Sequence, residues 1–201
     1  MALQYPDLRD IEHFPGFADI PIEDLDTGET TPGTDGCLLL EILSIQKRPV
    51  LVIGTRSNDL HMVTLRFEGP DHGHALSESP HLKVGYTIAV MHARKHQFGH
   101  EVYGMCLHDY RSIKLLPSPL DDIFHLSDVM KTWPLNFAPH KKCHWCGHEP
   151  KPIVTCLDCG VVGYCGVACQ VACWNFRSHK EFCKILGDQN FRSLVTEMAR
   201  E

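Results

Sequence analysis

The chain contains no run of apolar residues near the roughly 20 that a bilayer-spanning helix needs. Its longest apolar stretch, Val84 to Ala93, is interrupted by Gly85, Tyr86, Thr87 and His92. The opening MALQYPDLRD has neither a basic start nor an apolar core, so a secretory leader is not expected, nor the oxidising compartment it would lead to. Basic charge is also short: 19 Lys and Arg stand against 25 Asp and Glu, net −6, which weighs against unspecific binding to polyanions. Aromatic residues make up only 8%, few for a platform on which bases stack. No Gly-rich phosphate loop, nucleophile elbow or His-Glu-x-x-His segment occurs, so the chain is not expected to be an enzyme.

What is present, 43% apolar and 22% charged residues in a chain of 201, is the balance of a folded globular protein of one ordinary domain or two small ones. Cysteine is the unusual component. Eight of the ten cysteines fall between Cys143 and Cys183, and only Cys37 and Cys106 lie outside. In a reducing compartment, nucleus or cytoplasm, such close pairs serve as metal ligands more readily than as disulfides, because zinc binds thiolate. Cys37 and Cys106 sit in apolar runs and read as core thiols.

Charge divides the chain near residue 140: residues 1–140 carry net −8 and residues 141–201 net +2. Five segments follow from texture. Residues 1–36 form an irregular arm rich in Pro, Gly, Asp and Glu, which either lies on a neighbouring surface through Ile11, Phe14, Phe17 and Ile20 or hangs as a tail. Residues 37–117 alternate short β-rich runs with turn residues, placing strands near 37–46, 50–55, 60–68, 85–92, 101–107 and 112–116, with loops at Gly69–Val84 and Ala93–His100. Strands of this size close most easily as a small antiparallel barrel, and their order, with a long excursion after the third, resembles an OB-fold. In residues 118–142, Ser118-Pro119-Leu120-Asp121 starts a helix to about Lys131 with Leu120, Ile123, Phe124 and Ser127 on its apolar face, and Trp133 to His140 is a linker. Residues 143–183 hold the cysteine cluster. Residues 184–201 hold a helix in which Phe191, Leu194, Val195 and Met198 fall on one face, either packed back on the molecule or open to a partner. The fold class expected is therefore α+β, a barrel followed by a metal-bound helical module.

The cluster reads Cys143-x2-Cys146, Cys156-x2-Cys159, Cys165-x3-Cys169, Cys173 and His179-x3-Cys183. An x2 pair on a tight knuckle turn brings two sulfurs to one ion, and x3 spacing on a helix puts residues i and i+4 on one face. Four pairs make eight ligands, the number for two tetrahedral zinc ions. Cys173 is a spare thiol and an alternative ligand, although Cys169 alone keeps the i, i+4 relation to Cys165. His144 and His148 compete at the first pair but read as exposed knuckle residues.

The run Tyr164-Cys165-Gly166-Val167-Ala168-Cys169-Gln170, then Trp174, then His179-Lys180-Glu181-Phe182-Cys183, behind two x2 pairs, resembles the MYND zinc finger. A β domain carrying a terminal finger is similar to small two-module proteins of fungi. The resemblance implies an interleaved arrangement, with Cys143, Cys146, Cys165 and Cys169 on one ion and Cys156, Cys159, His179 and Cys183 on the other. It departs from the family in a longer segment between Cys169 and His179 and in Cys173 before Trp174. Filled four-ligand sites are structural rather than catalytic. Seven thiolates against two divalent ions subtract three charges, so the loaded finger carries about −1 and its basic character disappears.

The family binds short proline-containing peptides, and the positions that carry over are Gln170 and Trp174, an amide and an indole at i, i+4. Trp174 reads equally as a core aromatic bracing the knuckles. The chain is thus expected to be a zinc-dependent adaptor for other proteins. The alternative is single-stranded nucleic-acid binding through the β domain by Lys47, Arg48, Arg94, Lys95, Phe98 and Tyr103, against which its net −8 counts. The histidines His92, His96, His100 and His108, with Asp71-His72-Gly73-His74, read as solvated surface groups, because the sequence places no Cys or paired carboxylate beside them.

Overall fold

The computed structural model describes residues 6–24, 28–100, 102–132, 142–149 and 152–198. The chain divides into two compact units, one of residues 9–120 and one of residues 121–201 with the first eight residues. The linker expected at Trp133 to His140 lies outside the described residues, and so do residues 199–201 of the expected C-terminal helix segment.

In the first unit, β1 (Leu38–Gln46), β2 (Val52–Ser57) and β3 (Met62–Phe67) form an antiparallel meander. Then come α1 (His74–Ser77), β4 (Thr87–Val90), β5 (His96–Gly99), β6 (Val102–Leu107) and, after a 3₁₀ turn at Tyr110–Ser112, β7 (Ile113–Leu116). They make one seven-stranded sheet in the order β5-β6-β3-β2-β1-β4-β7. The closed antiparallel barrel is corrected here on two counts. The hydrogen-bonded order has two ends, β5 and β7, and β3 pairs with β6 in parallel.

The sheet is nevertheless strongly rolled. β4 and β5 stand five strand positions apart, about 24 Å in a flat sheet, yet only residues 91–95 join them. Those residues span about 20 Å at full extension, so the strands must curl toward each other. The N-terminal segment runs along this connection: Lys95 donates its N–H to Pro21 O (2.7 Å), and Glu23 donates to Lys95 O (2.8 Å).

Alternation explains the core inside the roll. In β3, Val63, Leu65 and Phe67 are buried while Met62, Thr64 and Arg66 face out, the period of two that a half-buried strand requires. Leu38, Leu40, Ile42, Leu51, Ile53, Ile88 and Met105 join them, and so do Phe17 and Ile20 of the arm. Of the arm residues expected to anchor, Phe14, Phe17 and Ile20 are buried, whereas Ile11 is 69% exposed. Asp59 fastens the arm by accepting from the Ala18 N–H at 3.0 Å.

Two of the expected loops contain structure. β5 lies inside Ala93–His100, held by pairing with β6 rather than by its own residues, since His96-Gln97-Phe98-Gly99 has no β-branched member. α1 lies inside Gly69–Val84, and the Asp71 carboxylate caps it by accepting from the N–H groups of Gly73 (3.0 Å) and Ala75 (3.1 Å). Asp71 is thus a turn residue rather than a merely solvated one.

In the second unit, α2 (Leu120–Lys131) begins directly after Pro119 and buries Ile123, Phe124, Leu126 and Ser127. The short ribbon β8 (Val154–Thr155) and β9 (Gly163–Tyr164) precedes α3 (Val167–Phe176), α4 (His179–Gly187) and α5 (Gln189–Met198). α5 is capped by Asp188, which accepts from the Phe191 N–H at 3.0 Å, and its stripe of Phe191, Leu194, Val195 and Met198 is buried as expected. His125 of α2 meets Phe182 of α4 edge to face, with ring centroids 5.2 Å apart. No helix among the described residues is long and apolar enough to cross a membrane.

Candidate metal centres

Both x2 pairs are built alike. In each, the carbonyl of the first cysteine accepts from the glycine one residue past the second: Gly147 N–H to Cys143 O, and Gly160 N–H to Cys156 O, both 2.9 Å. Those glycines have φ of 72° and 65°, the left-handed region that a side chain disfavours, so the knuckle turn needs them. Directly after β9 comes Cys165, beside the first knuckle with its sulfur 3.7 Å from that of Cys146, and α4 delivers His179 and Cys183 one turn apart on one face.

The helical reading of Cys165 and Cys169 is corrected. α3 starts at Val167, after Gly166 in extended backbone, so Cys165 closes the ribbon and only Cys169 stands on the helix. The two sulfurs still approach to 3.3 Å.

The donors collect into the two interleaved sets that the resemblance implies: Cys143, Cys146, Cys165 and Cys169 in one, Cys156, Cys159, His179 and Cys183 in the other. Zinc bond lengths of about 2.0 to 2.3 Å put the corners of a tetrahedron about 3.4 to 3.8 Å apart. Cys146 and Cys165 sulfurs stand 3.7 Å apart, Cys156 and Cys183 3.7 Å, and Cys159 Sγ lies 3.5 Å from His179 Nε2. These separations fit one ion per set and exceed the roughly 2.05 Å of a disulfide. All ten cysteines are free thiols. The finger therefore has the donors for two structural zinc ions, with four protein ligands each.

Electrostatics favours the thiolate at one cysteine of each set, whereas burial pushes Cys159 and Cys183 up and the neighbouring Cys165 thiol pushes Cys169 up. Burial alone would raise the Cys143 thiol, but hydrogen bonds from the backbone N–H groups of Cys146, Cys165 and Trp145 overcome it and bring the pKa down to about 6. Cys156 is lowered in the same way, against its burial, by the N–H groups of Cys159 and Asp158. Burial pushes His179 down to about 4, opposed only weakly by Asp158, which keeps the imidazole neutral, the form that binds metal.

The remaining candidates are placed as follows. Cys173 belongs to neither set: it is fully buried and hydrogen-bonded to the Tyr164 phenol, not a spare ligand. His144, expected on the surface, is buried, and its Nδ1 accepts from the Gly163 N–H at 3.0 Å, tying the first knuckle to β9. His148 is exposed. Cys37 is a core thiol as read, but Cys106 is half-exposed and bonded to Glu68, which corrects its reading. Gln170 is exposed on α3, and Trp174, half-buried, meets the His179 ring edge to face at 5.2 Å. In the β unit, the Lys47 ammonium donates to Ser77 O (2.6 Å), Arg94 pairs with Asp35 (3.1 Å) and Lys95 donates to Ala18 O (2.8 Å). Those cations hold loops of their own chain in place.

A pair of closed, interleaved four-donor Cys/His sets on a ribbon and two helices defines a finger with two structural zinc sites. Residues 143–183 match the family model of the MYND finger, a zinc-binding domain that commonly mediates protein–protein interaction. Comparison of the chain with curated proteins and with solved structures finds no match.

Proposed function

We propose that the protein is a non-enzymatic adaptor whose finger captures a proline-containing segment of another protein along the outer face of α3. One observation carries the reading. Val167, Gln170, Val171 and Trp174 fall at i, i+3, i+4 and i+7, so they form one stripe, and Val167 is 75% and Val171 53% exposed. A stripe of valines left in solvent beside an amide and an indole suits a short extended peptide: the apolar surface buries its prolines, and Gln170 hydrogen-bonds its backbone. The edge contact with His179 fixes the Trp174 ring, which lowers the entropy lost on binding. Trp174 thus combines the two roles its sequence position allows, brace and platform.

Both metal sites are read as structural, because four protein donors at each leave no position for water or substrate. The nucleic-acid reading is less well supported, since Lys47, Arg94 and Lys95 are engaged within the chain and the β half is acidic.

The test is binding of the zinc-loaded full chain to an array of proline- and leucine-containing peptides, alongside Gln170→Ala, Val171→Asp and Trp174→Ala. Wild type is expected to capture a subset that the first two variants lose while both zinc ions remain bound. Capture unchanged in Val171→Asp, or no capture by wild type, would remove the groove.

A further inference from the structure

We propose a third metal site, on the outer face of the β unit, in which Cys106, His108 and Glu68 bind a divalent transition-metal ion of zinc's softness. Nothing in the finger accounts for this cluster, whose three donor atoms lie within 4.8 Å of one another.

The parallel pairing of β3 with β6 builds it. Arg66 stands opposite Cys106 and Phe67 opposite Leu107, and the Glu68 N–H donates to Leu107 O at 2.9 Å, carrying the alignment one residue further. Side chains alternate along a strand, so Cys106 and His108, two apart, share a face with each other and with Arg66 and Glu68. Leu65, Phe67, Met105 and Leu107 take the opposite face and are buried in the core. The apolar pattern that fixes the register therefore also fixes the polar cluster on the outside.

The spacing is that of a coordination sphere. Cys106 Sγ lies 3.7 Å from His108 Nε2, close to the 3.5 Å between Cys159 Sγ and His179 Nε2 in the finger. The Cys106 thiol is hydrogen-bonded to the Glu68 carboxylate, so an arriving ion replaces that thiol proton and is held by sulfur, nitrogen and oxygen. Arg66 Nε holds Glu68 Oε1 at 2.8 Å, an outer contact of the kind that orients a ligating carboxylate. His96 of β5 stands opposite Gly104, on the same face as Cys106, and its buried Nδ1 has no hydrogen-bond partner among the described residues.

The donor set selects the ion. One thiolate and one imidazole suit zinc or cobalt and disfavour magnesium and calcium, which need oxygen cages. Three protein ligands at a half-exposed position leave at least one site open to solvent, unlike the two closed sets of the finger. The site should therefore exchange its ion while the finger keeps its own.

The experiment uses the full-length protein already holding two zinc ions, titrated with zinc alone and followed by native mass spectrometry and calorimetry, then with Co²⁺ and followed by absorption. A third equivalent is expected, weaker than the first two, with a sulfur-to-cobalt charge-transfer band. Cys106→Ser, His108→Gln and Glu68→Gln should each weaken it by more than the roughly 10- to 100-fold that loss of an outer-shell partner costs, with the first two equivalents unchanged. The last two are exposed substitutions that keep the test valid if Cys106→Ser does not fold. Absence of a third equivalent, or its retention in Cys106→Ser or His108→Gln, as scattered surface histidines would give, overturns the proposal.

Discussion

The phenolic oxygen of Tyr164 lies 2.6 Å from Nδ1 of His179. With Nε2 turned toward Cys159, where a zinc ion would bind it, the imidazole would carry its proton on Nδ1 and donate it to Tyr164, whose own hydroxyl is directed to the buried Cys173. Tyr164 adjoins Cys165, so one side chain connects a ligand of the first set by the backbone and a ligand of the second by a hydrogen bond. Cys173, redundant as a ligand, closes this chain of buried polar groups.

Tyr164→Phe should therefore weaken the second zinc site by roughly 10- to 100-fold, the usual effect of losing the partner that orients a ligating histidine. The first set should keep its ion. Competition against a chromogenic chelator would resolve one early and one late equivalent; simultaneous release of both would contradict the assignment.

Acid should release zinc in a defined window. Ligands must be deprotonated to bind, so affinity falls as pH falls. His179 is held near 4 when folded against 6.5 in its ordinary state, so between those values the unfolded chain takes up the proton and the folded one does not. Stability of the zinc-loaded finger should accordingly drop as pH falls from 6.5 toward 4 and recover nothing by further acidification. Circular dichroism across that range, with and without a chelator, checks this: chelation should unfold the finger, because zinc supplies about 10 to 16 kcal/mol in comparable modules.

The two knuckle glycines make a matched pair of tests. An added Cβ at Gly147 or Gly160 meets no atom within 4 Å, so the effect of Ala is purely conformational. Each substitution should cost about 1 to 2 kcal/mol, a roughly 5- to 30-fold loss of affinity confined to its own zinc set. Equal losses at both sites in either variant would show that the knuckles are not independent.

Asp59 offers a test in the β unit. Its partial burial would raise its pKa, but hydrogen bonds from Ser57, from the Ala18 and Phe17 N–H groups and from His61 hold it down at about 2. A lowered carboxylate contributes stability above its unfolded value of about 3.9, lost as pH falls through 2. Asp59→Ala should cost about 1 to 3 kcal/mol at neutral pH, from donors left unpaired, and should expose the arm, residues 9–36, to proteolysis. An unchanged urea midpoint and cleavage pattern would show that the arm is held by Phe17 and Ile20 alone.

The cysteine pairs, the six short β-rich runs and the stripe of the last helix are local patterns, and each was legible because a spacing, a composition or a period expresses it. The membership of β5 was not, since His96-Gln97-Phe98-Gly99 becomes a strand only by pairing with β6. Nor was the start of α3, because Gly166 adopts an extended backbone that the x3 spacing of Cys165 and Cys169 does not reveal. The histidines were visible as well, but a companion for His108 could not be read from the chain: Cys106 looked like core, and Glu68 lies 38 positions before Cys106.

The sequence by itself thus determined the number and kind of the finger's metal donors, the apolar faces and the acidic balance of the β half. Tertiary structure alone decided that the sheet rolls without closing, that Cys173 serves Tyr164 rather than zinc, and that Glu68 meets Cys106 and His108. Strand pairing explains the difference: it is made between backbones far apart in sequence, and one parallel register places side chains together that no local period relates.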